Sequence, residues 1–232
     1  MKKLSIFVLV AIFMLSCAVP YKITRIMPPD DKVSFWENGM AIYQQEKDNY
    51  MVRVGFEDSD RDNVLLDLEL VNLSESMHLI DPTNFTITYL KDGNPIGSYN
   101  AVNPEETLLK LDKAIARTWA SERNNQYLAV ATAVSSGMSI ASGNNLDLAN
   151  QNMAQGTFNA QQIASTGAEL KGQKGFYQNF AIRKTSLFPD TYLKGKIVFP
   201  REEKADKVLL TIPFGDETFE FELFQFTYSR YN

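Results

Sequence analysis

Residues 50–103 and 181–228 alternate apolar and polar side chains, whereas the stretch between them, 104–180, repeats apolar positions at steps of three and four. A period of two buries one face of a sheet, and a period near 3.6 buries one stripe of a helix. Neither stretch can take the form of the other. The chain is therefore expected to be mainly β with an α insertion: an antiparallel β-sandwich interrupted by a long helical hairpin.

The strands can be followed residue by residue. Gly39–Gln45 and Tyr50–Phe56 flank Glu46-Lys47-Asp48-Asn49, a hairpin signal with Asp-Asn suited to the turn. In Val64–Asn72, Leu66, Leu68 and Leu70 share one face while Asp67 and Glu69 take the other. These carboxylates, like Glu220 and Glu222, are expected to be solvated. Phe85, Ile87 and Tyr89 alternate with Thr86 and Thr88, and Asp92-Gly93 turns the chain into Pro95–Val102. Downstream, Tyr192–Phe199 stops at Pro200, followed by Val208–Phe214 and Glu217–Tyr228. The last run carries Phe219, Phe221 and Leu223 in one phase, then Phe224, Phe226 and Tyr228 in the other. That change predicts a β-bulge or two-sided burial at Leu223-Phe224.

Asn103-Pro104-Glu105-Glu106 opens the insertion as a helix start: Asn103 caps, Pro104 fits the first position and Glu106 is placed to close a capping box. Leu108, Leu111, Ile115 and Trp119 form an amphipathic stripe, continued by Tyr127, Ala131, Val134, Met138 and Ala141. After Gly143-Asn144-Asn145, a second run places Ala149, Met153, Gly156, Ala160, Ile163, Gly167 and Leu170 at the same rhythm. A seam of Ala and Gly buries little area, and Gly156 and Gly167 each cost about 1 kcal/mol relative to Ala. The hairpin therefore needs a third surface: the sandwich, whose core it would close, or a second copy, another protein or membrane. Tyr127, Met138, Met153, Phe158 and Ile163 are its candidate partner-binding residues.

The N-terminus speaks to location. Lys2-Lys3 precedes Leu4–Leu15, a run broken only by Ser5 and too short to span a bilayer comfortably, and the only cysteine, Cys17, follows. Met14-Leu15-Ser16-Cys17 resembles a bacterial lipobox, which implies cleavage before Cys17 and diacylglycerol on its sulfur. Residues 1–16 are then a lipoprotein signal peptide. Residues 17–33, with Pro20, Pro28 and Pro29, read as a lipidated tether. The sandwich is expected over 34–103 and 181–232, with the insertion over 104–180. Losing Lys2 and Lys3 takes the formal charge from −5 to −7, and no basic cluster offsets it. That balance argues against nucleic acid and against a polybasic grip on lipid. The residues after Cys17 are not acidic, so the periplasmic face of the outer membrane is expected, with surface exposure as the alternative.

Val71-Asn72-Leu73-Ser74, Ile80-Asp81-Pro82 with Phe85, and Gly195-Lys196-Ile197-Val198-Phe199-Pro200 resemble the Ig-like (telokin-like) β-sandwich of secreted bacterial lipoproteins. There a strand ends in Asn-x-Ser and a late strand reads Gly-x-aliphatic-x-Phe. The resemblance covers 50–103 and 185–228 and implies a binding or spacing domain without a shared activity.

Chemistry-bearing patterns are few. With Cys17 lipidated no thiol remains, and His78 is the only histidine, with no Gly-x-Ser-x-Gly elbow beside it. Zinc lacks ligands, and no cofactor is expected. Asp58, Asp60 and Asp62, with Glu69 at position twelve, match part of a calcium loop. Strand-like flanks, however, carry Glu69 about 20 Å from Asn63, so an acidic β-turn is the preferred reading. Were calcium to bind, those three aspartates would be its ligands. Phe35-Trp36, Phe176-Tyr177, Phe180 and the stretch 224–231 could form a sugar- or peptide-binding surface, although the C-terminal aromatics read as core. The expectation is not an enzyme but a lipid-anchored envelope interaction protein. The insertion or a sheet edge would engage a protein partner or a second copy. An accessory carbohydrate- or peptide-binding module is the alternative.

Overall fold

The computed structural model describes the backbone of 21–141 and 146–230 and the side chains of 22–127 and 161–228. The leader and Cys17 lie outside the described residues, as do the side chains of Met138, Met153 and Phe158. The chain divides into two units at Val102/Asn103 and Arg183/Lys184.

The first unit is built from antiparallel strands. One five-stranded sheet has the order β1 (Tyr21–Met27), β12 (Glu217–Arg230), β11 (Lys207–Phe214), β7 (Thr86–Lys91), β8 (Asn94–Asn100). The other has the order β10 (Thr191–Pro200), β5 (Asn63–Asn72), β4 (Tyr50–Ser59), β3 (Met40–Lys47), β2 (Phe35–Glu37). A short pair, β6 (His78–Ile80) and β9 (Thr185–Leu187), stands apart.

The two large sheets bury their alternating faces against each other. Leu66, Leu68 and Leu70 of β5, Phe219 and Phe221 of β12, and Val208, Leu210 and Ile212 of β11 are fully buried. Side chains bridge the layers. The Tyr43 ring meets Phe221 edge-on at 5.0 Å, Tyr50 packs on Phe214 at 4.9 Å, and Tyr89 Oη donates to the Pro200 carbonyl at 2.7 Å. Burial, then the neighbouring Tyr99, raise the Tyr89 phenol above the usual tyrosine range.

Two expectations for the first unit are corrected. Residues 21–27, read as part of a tether, form edge strand β1, paired with β12 from Tyr21↔Arg230 to Met27↔Phe224. Thr24 and Ile26 are buried on its inner face, so Pro20 and Pro28-Pro29 bracket a strand, and the fold begins ahead of Ser34. Second, β12 carries no bulge at Leu223-Phe224, because its pairing with β11 and then β1 runs without a shift. The buried phase continues through Gln225, whose amide donates to the carbonyls of Glu202 at 2.7 Å and Ala205 at 3.2 Å. Phe224, Phe226 and Tyr228 therefore face outward and are not core. The register does shift elsewhere, between Phe56 and Asp58 in β4 and between Tyr89 and Leu90 in β7.

Asp81 holds the connection from β6 to β7. Its carboxylate accepts from the Thr83 hydroxyl at 2.6 Å and the Thr83 amide at 3.1 Å, and pairs with Lys184 at 2.9 Å. The Thr83 hydroxyl, then Lys184, hold this carboxyl below the ordinary aspartate range. A lowered folded value stabilises above the unfolded value near 4, and that contribution is lost as pH falls through the folded value. Asp81→Asn, which keeps an oxygen for Thr83 and removes the charge paired with Lys184, should cost up to about 1 kcal/mol at neutral pH. In urea unfolding the two proteins should converge as pH falls through the lowered folded value. A gap unchanged by pH would show that the charge is not what matters.

The second unit is a hairpin of α1 (Pro104–Ala141) and α2 (Leu146–Asn179). Asn103 Oδ1 accepts from the amides of Glu105 at 3.0 Å and Glu106 at 3.4 Å, so it caps α1. Glu106 pairs with Lys110 at 2.7 Å in place of closing a capping box. The antiparallel register is pinned by Glu105–Arg183 and by Asp112–Lys174 at 2.6 Å. Leu108, Leu111 and Ile115 are buried, but Trp119 is not: it is 55% exposed beneath the Lys171 ammonium. At that level the seam passes to Gly167, where an added Cβ would rest 3.6 Å from the Thr118 methyl. Added Cβ atoms at Gly172 and Gly175 meet nothing within 4 Å. Gly172→Ala and Gly175→Ala should each stabilise α2 by about 1 kcal/mol, read as a higher helix melting temperature by circular dichroism. A lower one would mean that these glycines serve something other than helix geometry.

Candidate functional site

Among the described residues, chemistry or exposed apolar surface gathers at several places, three of them near residues singled out in the sequence. The first is the middle of the hairpin. Beyond Ile115 the apolar seam gives way to Arg117, Thr118, Ser121, Asn125, Gln162, Ile163 and Thr166, which line a cleft of about 420 Å³ between the helices. Ile163 is half-buried there, while Tyr127 is 70% exposed further along α1. Polar residues at seam positions cannot close two helices tightly, because burying them without partners is unfavourable. Of the five residues singled out on the insertion, the structure places Tyr127 and Ile163. Met138, Met153 and Phe158 belong to the side chains outside the description.

The second place is the end of the sandwich where β5 stops and β10 starts. Asn72 is fully buried. Its Nδ2 donates to the carbonyls of Ser76 at 2.8 Å and Leu187 at 3.2 Å, while its Oδ1 accepts from the Ser74 amide at 3.0 Å and hydroxyl at 2.7 Å. The Asn-x-Ser triplet thus ends a strand and ties the following loop to β9. His78 Nε2 lies 2.9 Å from the Tyr50 hydroxyl and 3.1 Å from Ser74 Oγ. The serine–histidine contact is therefore real, but the Ser74 hydroxyl is engaged by Asn72, so the pair braces a loop. Leu73, Met77, Leu79, Phe188 and Tyr192 stand exposed around this framework. Sequence reasoning missed them as a group, because the pairing of β6 with β9 assembles them across the whole insertion. The available signal was local: Leu73 and Met77 are large apolar residues flanking the polar loop Ser74–Ser76.

The third place is the outer face of the second sheet. Asp67, expected in solvent, is buried and bridged by Lys196 at 3.1 Å and Lys194 at 3.8 Å. Lys196 also pairs with Glu57, Lys194 with Glu37 at 3.2 Å, and Arg53 with Glu69 at 2.7 Å. Burial by itself would lower both lysines, but the carboxylates outweigh it and hold them above the ordinary lysine value. Each charge has an opposite neighbour, which is the pattern of a structural network. The sequence signal was the pairing of Asp67 and Glu69 with Lys196 and Lys194, visible only once the register is known.

The acidic turn is also accounted for. Asp60 Oδ1 accepts from the amides of Asp62 at 2.7 Å and Asn63 at 2.6 Å, and Asp58 Oδ1 accepts from the Ser59 amide at 2.8 Å. Among the described residues no group of three acidic, Cys or His side chains gathers as a metal site. No described helix is long and apolar enough to cross a membrane.

Comparison with protein-family models, curated proteins and solved structures finds no match. The functional reading therefore rests on the residues themselves.

Proposed function

We propose that this chain is a lipid-anchored interaction protein of the bacterial cell envelope, acting by binding and not by catalysis. In this reading Cys17 carries diacylglycerol at the outer membrane. The sandwich, Ig-like in its two packed antiparallel sheets, serves as a platform, and the helical hairpin engages a protein partner or a second copy. The observation that carries the reading is the unfinished seam. Two helices of 38 and 34 residues bury Leu108, Leu111 and Ile115 and then open into a polar-lined cleft, with Trp119 and Tyr127 exposed on α1. Exposed aromatic rings beside a groove are typical anchors of protein interfaces.

The test is recovery of companions by full-length protein from detergent-solubilised native membranes. Replacing Trp119 and Tyr127 together by Ser should reduce recovery of a specific companion at least about tenfold, as loss of two interface anchors does. Undiminished recovery would remove the hairpin from the interface. The second reading, a peptide- or carbohydrate-binding module, is favoured by the exposed set at the sandwich end. It predicts that Phe188→Ser with Tyr192→Ser abolishes binding while the hairpin variant retains it.

A further inference from the structure

The outward face of β12 changes character along its length. Glu220 and Glu222 give way to Phe224, then Phe226, 43% exposed, and Tyr228, 56% exposed. Edge strand β1 extends this face: Met27 lies opposite Phe224, Arg25 opposite Phe226 and Ile23 opposite Tyr228. Arg25 is exposed, and Ile23 and Met27 are half-buried. The Lys207 ammonium sits 5.4 Å from the Phe224 ring. Aromatic and aliphatic groups thus collect toward the end of the sheet where β1 starts, while Glu220 and Glu222 lie further back along β12, and Glu203 beside that start is paired with Lys22 at 3.0 Å and Arg201 at 3.5 Å.

The occupant of this face is indicated by the chain leading into it. Cys17 precedes Tyr21 by four residues, a leash of at most about 14 Å even when fully extended. With diacylglycerol on Cys17, the start of β1 stays within that distance of the lipid, and Tyr228 and Ile23 lie beside that start. A Tyr ring favours the headgroup level of a bilayer, where its apolar body and polar tip are both satisfied, Phe and aliphatic side chains insert at the acyl boundary just below, and Arg favours anionic phosphate. Carboxylates are repelled by the same surface; on this face Glu220 and Glu222 are set back from the start of β1, and Glu203 beside it is neutralised by Lys22 and Arg201.

We propose that the Ile23–Arg25–Met27 and Phe224–Phe226–Tyr228 face rests on the phospholipid surface and fixes the orientation of the sandwich on the membrane. The inference rests on the lipid-anchor reading, and its test separates the two. Full-length protein with Trp36 and Trp119 replaced by Phe receives one reporter at a time: Phe226→Trp, Tyr228→Trp or Glu220→Trp. Each is combined with phosphatidylethanolamine–phosphatidylglycerol vesicles carrying brominated acyl chains, and the mass of the N-terminal peptide reports whether Cys17 is acylated. Reporters at 226 and 228 should be quenched roughly twofold, as rings at the interface are, while the reporter at 220 is spared. No quenching at any site with Cys17 acylated overturns the inference and leaves the anchor standing. No quenching with Cys17 unmodified overturns both. Equal quenching at all three sites overturns the fixed orientation. Selective quenching at 226 and 228 with Cys17 unmodified supports the face and removes the anchor.

Discussion

Phe221→Ala should destabilise the sandwich by about 4 kcal/mol, the size expected when a buried ring is removed from a packed core. Phe221 is fully buried on the inner face of β12, opposite Leu210 of β11 in register, and its ring is met edge-on by Tyr43 from the other sheet. Truncation therefore removes packing within one layer and between the two layers at once. Neither sheet can close the gap locally, since the backbone at Phe221 is held by its pairing with Leu210 of β11, itself paired with Ile87 of β7. A loss of that size is a large fraction of the 5–15 kcal/mol that stabilises a typical domain. Phe221→Leu, which retains most of the volume, should lose only about 1.5 kcal/mol. Urea unfolding followed through Trp36, in a Trp119→Phe background that silences the hairpin, measures both. A loss below about 1 kcal/mol for the alanine variant would mean that the two layers do not depend on this contact.

Gly215→Val should cost nearly as much, about 3–4 kcal/mol, for a different reason. Gly215 turns β11 into β12 with φ of +62°, a conformation that a β-branched residue adopts only under strain. An added Cβ would also fall within 2.7 Å of the Tyr50 ring. That ring cannot step aside cheaply, because it packs on Phe214 and its hydroxyl contacts His78. Gly39 separates the two contributions. It has φ of +82° but nothing within 4 Å of an added Cβ, so Gly39→Val should show the backbone strain alone, about 1–2 kcal/mol. Equal losses at the two glycines would show that the Tyr50 contact carries no weight.

How much of this could be read from the chain depends on whether the deciding interaction is local. The strand β5 is legible because Leu66, Leu68 and Leu70 declare their face, and the start of α1 is legible because Asn103 and Pro104 act on their immediate neighbours. Strand β1 hides among prolines, and only its pairing with β12, some two hundred residues away, makes it a strand. The outward turn of Phe224, Phe226 and Tyr228 is concealed by Gln225, a polar residue admitted to the inner face because two carbonyls satisfy its amide. Asp67 looks solvated until the register delivers Lys196 and Lys194 to it. Trp119 continues the step of its stripe, yet the helices meet at Thr118 and Gly167. The exposed set at the sandwich end depends on β6 meeting β9 across the insertion, a contact that no window of sequence contains.

Engagement of a partner by the hairpin is read out by site-specific photocrosslinking in native membranes, with a photoreactive residue at position 119 or 127 of the full-length chain and, for comparison, at position 98 on the edge strand β8. A discrete higher-mass adduct is expected from each hairpin position, containing either another envelope protein or a second copy, and none from Ser98. An adduct from Ser98 with none from Trp119 or Tyr127 would contradict engagement by the hairpin and assign the partner to the sandwich.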